Sequence, residues 1–127
     1  MAVAGEILAR GADDPTAKFI AATSWLKLIQ TVDIPDIVTR WGLGEGESSV
    51  IALGLSNPGV TLLMDDMEGR KCAMSLGLEV KGTLGIVLLA KKSGLITDAR
   101  RVMMAMSMNG LYLSKRTLDE ALRKVGE

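Results

Sequence analysis

Val60-Thr61-Leu62-Leu63-Met64 is a β-branched and aliphatic run that two carboxylates, Asp65 and Asp66, bring to an end. A run of this kind without polar alternation suits a strand covered on both faces in a parallel sheet. Parallel pairing demands a crossover, usually a helix. The neighbouring segments supply helical spacing: GESSVIALGL before the run and MEGRKCAMSLGL after it, followed by a short strand Glu79–Lys81 and an apolar helix Ile86–Ala90. From Gly46 to Ile96 the chain therefore reads helix, strand, helix, strand, helix, which predicts an α/β fold around a parallel sheet. In such sheets the ligand crevice lies beyond the carboxyl ends of the strands. Asp65 and Asp66 fall there, the Gly82-Thr83-Leu84-Gly85 turn follows the next strand, and Glu47 in the preceding helix could reach the same rim. Acids beside a Gly-Thr turn, in a chain with no histidine, point to a hard-cation site.

At 127 residues the chain is expected to be one domain. Its aromatics are Phe19, Trp25, Trp41 and Tyr112, so the core must be aliphatic, with methionine filling gaps. The absence of histidine excludes a Ser-His-Asp triad, Cys-His catalysis and imidazole metal ligation. A single cysteine, Cys72, excludes an internal disulfide and a thiolate zinc cage, suggests a reducing cytosol, and reads as a packing residue. No apolar run reaches membrane-spanning length and the start lacks the form of a signal peptide, so a cytoplasmic protein without membrane contact is expected. Net charge is zero but uneven. Residues 1–64 carry four bases and seven acids, a net of −3, and residues 65–127 eleven and eight, a net of +3. A basic second half is compatible with a polyanionic partner, although solvated helix faces explain the same charges.

Other signals set local expectations. Ala2–Arg10 reads as a helix stopped by Gly11, and Asp14 with Pro15 as the cap and first residue of the next. Trp25–Val32 reads as a strand near a sheet edge, Pro35-Asp36 as the start of a short helix, and Ser56–Gly59 as a turn. Thr97 is expected to cap a methionine-rich helix Asp98–Met108, and Thr117 with Glu120 to form a capping box for the last helix. Glu47 in a first helical turn and Asp66 at a helix start both have a plain structural explanation in capping and the helix dipole. For Asp66 that explanation and a ligand role weigh equally. Asp65 beside it is harder to dismiss, because adjacent carboxylates at a strand end repel unless something neutralises them.

Taken together, L-G-x-G-E-x-x-x-I-A-L, L-L-x-D-D-x-x-x-R-x-x-A-x-x-L-G-L and V-x-G-T-L-G-I-x-L-x-A-K-x-x-G-L-I resemble the PIN-like proteins of the domain-of-unknown-function 3368 group, relatives of the VapC-type toxins of toxin–antitoxin pairs. The likeness is close from Leu43 to Ile96 and looser to the C-terminus. It implies a three-layer α/β/α fold with a central parallel sheet, and metal-dependent hydrolysis of RNA phosphodiesters with Mg²⁺ or Mn²⁺ at clustered acids. It assigns Glu47, Asp65 and Asp66 as catalytic ligands and Glu6 as a further metal ligand. Arg70, Gly82, Thr83 and Gly85 become supporting residues.

Members of that group begin with a strand ending in aspartate, whereas this sequence begins at the Glu6 helix. The expected form is thus an N-terminally truncated PIN-like domain, whose sheet could be completed by pairing between chains in a homo-oligomer. Two functional readings follow. One is an endoribonuclease of toxin–antitoxin type, with RNA as substrate and an antitoxin protein as partner. The other is a catalytically impaired PIN-like module that binds nucleic acid or protein.

Overall fold

A computed structural model describes residues 2–127. The chain forms two compact units, the first running to Val80 and the second from Lys81 to Glu127.

The first unit opens with helix α1 (Ala2–Leu8), which gives way to a turn at Gly11 with φ of +106°. Helix α2 (Pro15–Ala22) starts as the sequence predicts: Asp14 Oδ1 accepts from the N–H groups of Thr16 at 2.8 Å and Ala17 at 3.1 Å, and Pro15 takes the first helical position, where no donor is missed. The short α3 (Asp36–Thr39) precedes α4 (Glu45–Ser56), whose buried face is made of Gly46, Ser48, Ser49, Ile51, Ala52 and Gly54. Strand β1 (Thr61–Leu63), helix α5 (Met67–Ser75) and strand β2 (Glu79–Lys81) then make one crossover, with β1 and β2 paired in a small parallel sheet. Leu62 and Met64 point inward from the strand to join Val38, Ile51, Cys72 and Ala73 in the core. Gly54 lets α4 lie close on β1, because a Cβ there would stand 3.0 Å from Leu62 Cδ2 and 3.2 Å from Leu78 Cδ1. Burial pushes the Cys72 thiol up, in keeping with a packing role.

The expected strand Trp25–Val32 does not form. Residues 26–35 have no regular secondary structure, and the sheet holds only β1 and β2 among the described residues. Its β-branched and aliphatic composition suits a strand, but a strand exists only through its ladder, and this segment lies outside the sheet. It instead lines an apolar groove of about 270 Å³ in which Leu26, Leu28 and Ile29 face Val3 and Ile7 of α1 and Val50 of α4.

The second unit packs α6 (Thr83–Lys92), α7 (Ala99–Met108) and α8 (Lys115–Arg123) around Val87, Ala99, Met103, Ala121 and Leu122. Helix α6 begins earlier than the apolar run alone predicts, with Gly82 at its cap position. Two caps also differ from expectation. Asp98, not Thr97, caps α7 by accepting from the Arg101 N–H at 2.8 Å. Ser114, not Thr117, caps α8 by accepting from the Thr117 N–H at 3.1 Å, while Glu120 pairs with Arg116. In both places two adjacent or near-adjacent cap-type residues compete, and the one whose backbone is extended takes the role. Of the methionine-rich helix, Met103 is fully buried and Met108 almost wholly exposed, so the stripe is in part core.

Candidate metal centre

The carboxyl end of β1 is held by the helix that follows it. Asp66 has an extended backbone, and its Oδ2 accepts from the Gly69 N–H at 2.7 Å, so the capping role that its sequence context allows is realised. Arg70 ties the same turn down from two directions. Its backbone N–H donates to the Asp66 carbonyl at 2.9 Å, and its Nη1 donates to the Met64 carbonyl at 3.1 Å. Exposed Asp65 and Asp66 are thereby presented on a fixed turn between β1 and α5.

Glu47 arrives from a different helix. It is the third residue of α4, half-buried, and its side chain bends back so that Oε2 lies 2.5 Å from the position a Gly44 Cβ would occupy. The stem of the same side chain passes over α5, with Cγ 3.4 Å from the point where a Gly69 Cβ would be. Asp66 Oδ2 stands 3.3 Å from that same point. The stem of Glu47 and the carboxylate of Asp66 therefore both lie beside Gly69, although nineteen positions separate the two acids in the chain. Glu6 comes from α1, which packs on α4, and its Oε1 and Oε2 lie 3.1 Å and 3.3 Å from where a Gly46 Cβ would be. These acids gather near the N-terminal turns of α4 and α5, where aligned peptide dipoles favour negative charge.

Gly82, Thr83 and Gly85 belong to the second unit, where they form the cap and first turn of α6. The missing side chain of Gly85 faces Lys81 Cβ at 3.9 Å.

Carboxylate oxygens alone make up this donor set, which suits Mg²⁺ or Mn²⁺ and not a soft metal. No group of three or more His, Cys, Asp or Glu side chains among the described residues is placed to hold one metal ion. Mg²⁺ nevertheless retains several waters and is commonly held by one or two carboxylates with substrate phosphates completing the shell. Glu47 and Asp66 are carboxylates of the kind that demand calls for. The glycines that make room for these acids escape a reading based on charged residues. A signal for them does exist: Gly69 lies inside a helix, where glycine is less favourable than alanine by about 1 kcal/mol and so marks a packing or functional constraint.

Helices around a small parallel sheet, with two acids following its first strand, define an α/β domain. The family model described as DUF3368: PIN domain matches residues 1–127, and the chain belongs to that family. No curated protein and no solved structure matches it significantly. No helix among the described residues is long and apolar enough to cross a membrane.

Proposed function

We propose that this PIN domain is a divalent-metal-dependent endoribonuclease of toxin–antitoxin type, acting in the cytoplasm and restrained by an antitoxin protein. Family membership supports a nuclease-type function and nucleic-acid binding. The observation that carries the reading to particular residues is that the Glu47 stem and the Asp66 carboxylate both lie beside Gly69, at the end of the strand that Asp65 and Asp66 close. Bound Mg²⁺ or Mn²⁺ would supply an activated water and charge neutralisation at the scissile phosphate. Glu47, Asp65 and Asp66 would hold the ion, with Glu6 as a further ligand. Arg70 keeps the Asp65–Asp66 turn in place through the Met64 and Asp66 carbonyls. Gly82, Thr83 and Gly85 fit a supporting role at the N-terminus of α6, whose N–H groups suit a phosphate.

Asp66→Asn gives a clean test, because asparagine caps a helix as well as aspartate does but is a far poorer ligand for a hard cation. Wild-type protein should gain thermal stability with Mn²⁺, and the Asn variant should keep the metal-free melting temperature while losing that gain. A wild-type protein indifferent to Mn²⁺ removes the metal reading.

The second reading, a PIN-like module that binds RNA or protein without cleaving it, is favoured by one observation: the second unit carries nine bases against four acids. It predicts RNA affinity that falls with salt and ignores chelator.

A further inference from the structure

We propose that one end of the second unit is a surface for the phosphate backbone of single-stranded RNA. Three pairs of adjacent bases carry it: Lys91-Lys92 at the end of α6, Arg100-Arg101 at the start of α7 and Arg123-Lys124 at the end of α8. The proposal rests on the RNA part of the reading above and not on the metal. Helices α6 and α8 end in the same way. Gly94 at φ +73° and Gly126 at φ +77° turn the chain, and the N–H groups of Leu95 and Glu127 donate back to the Ala90 and Leu122 carbonyls at 2.9 Å and 3.0 Å. The second of these turns aims Glu127 at the start of α7. Its carboxylate there accepts from the Ala99 and Arg100 N–H groups and meets Lys91 Nζ at 3.2 Å. One side chain thus draws three helix ends, with the two bases on each, to one pole.

Helix-end chemistry explains two of the three pairs. Bases in a last turn complement the negative end of the helix dipole, which suffices for Lys91-Lys92 and Arg123-Lys124. It works against Arg100-Arg101, which lie in the first turn of α7, where the dipole favours acids. Lys115-Arg116 also open a helix, but Asp119 and Glu120 follow them at four-residue spacing, and Arg116 pairs with Glu120 at 2.8 Å. Helix α7 contains no acid. The acids at the pole, Asp98 and Glu127, are turned to backbone N–H groups of α7. Lys92, Arg100, Arg101, Arg123 and Lys124 are all exposed. Six bases against two acids at one end of a three-helix unit make the footprint of a polyanion site. RNA is favoured over an acidic protein segment because family membership supports nucleic-acid binding.

The test is binding of a labelled single-stranded RNA in chelator over a range of salt, so that neither metal nor cleavage takes part. Each phosphate contact to a single strand contributes about 0.7 to the slope of log K against log salt. Arg100→Gln/Arg101→Gln should therefore flatten the slope by about 1.4 and raise the Kd about tenfold or more at about 0.1 M salt. The melting temperature of that variant should hold or rise, since the dipole opposes both arginines. Lys115→Gln/Arg116→Gln removes the same charge from the opposite end of α8 and should leave slope and Kd nearly unchanged. Equal losses in the two variants would mean that net charge alone attracts RNA, and would overturn the pole. Wild-type protein that binds no RNA in chelator overturns the pole together with the RNA reading. RNA binding that is untouched in the Arg100→Gln/Arg101→Gln variant overturns the pole alone. Polyglutamate that displaces the label more readily than unlabelled RNA of equal charge would assign the pole to an acidic protein segment instead.

Discussion

The two units of this chain use charge in opposite ways. The first, to Val80, carries six bases against eleven acids, a net of −5; the second carries nine against four, a net of +5. In the first unit acids from α1, α4 and the β1–α5 turn are drawn toward one another over glycines. In the second the acids are dispersed into structural work: Asp98 caps α7, Glu120 pairs with Arg116, and Glu127 reaches back to α7. Glu6, Glu47 and Asp66 thus lie beside glycines of the first unit, where Asp14 caps α2 and Glu68 pairs with Lys71, while Asp98, Glu120 and Glu127 of the second are met by backbone donors and bases. Zero net charge over the whole chain hides this division. It places candidate chemistry in one unit and leaves the other with a basic surface compatible with a polyanion.

Both units cap helices locally, and the second adds a distant partner. Asp14 caps α2 from the adjoining residue, and the N–H groups of Ala17 and Thr16 hold its carboxyl below the usual carboxylate range. Glu127 does comparable work from far along the chain. It accepts from the Ala99 N–H at 2.8 Å and the Arg100 N–H at 3.2 Å and pairs with Lys91 at 3.2 Å. These bonds, the one from Ala99 first, hold its carboxyl below the usual range against the opposing effect of burial. A local cap fixes one helix, whereas this distant one fastens the end of the chain to both α6 and α7.

The largest effects should come from the separate cores. Leu122→Ala should cost about 2–5 kcal/mol, with loss of amide-exchange protection beginning in residues 81–127. Ile51→Ala should cost a similar amount, beginning in the first unit. Simultaneous loss across both units in either variant would erase the distinction. Next, Gly54→Ala should destabilise by about 1–3 kcal/mol in chemical denaturation, because overpacking against Leu62 and Leu78 outweighs the gain of about 1 kcal/mol in helix propensity.

A smaller effect is expected from pH. Asp14 and Glu127 both titrate lower in the folded chain, so each contributes stability that is present above its unfolded value, 3.8 for Asp14 and 4.5 for Glu127, and lost as pH falls through its folded value. Glu127→Gln should flatten the acid limb of stability below about pH 4.5 and loosen α7 by amide exchange. Asp14→Ala should instead expose amides of α2 alone, which makes the local and distant caps directly comparable. The smallest change belongs to the exposed Arg116–Glu120 pair, where Glu120→Ala should cost about 0.3–0.5 kcal/mol and vanish into the background at high salt.

Much of the fold was legible in local chemistry. The apolar run ended by Asp65-Asp66 gave a strand followed by a helix, Asp14-Pro15 gave a cap, and Gly59 stands at positive φ in the expected turn. Where two cap-type residues lay close together, as at Thr97-Asp98 and Ser114–Thr117, residue type could not choose between them, because backbone conformation at the junction makes the choice. The segment Trp25–Val32 failed for a related reason: composition supplies a strand's side chains but not its partner.

For the candidate site, the residue types and their spacing along the chain determined which acids could take part and excluded histidine chemistry outright. Only the tertiary structure decided that the Glu47 stem and the Asp66 carboxylate both lie beside Gly69 and that Glu6 lies against Gly46. The physical reason is that hydrophobic pattern and capping act within a few residues, whereas the placing of Glu6, Glu47 and Asp66 depends on how α1 and α5 pack against α4.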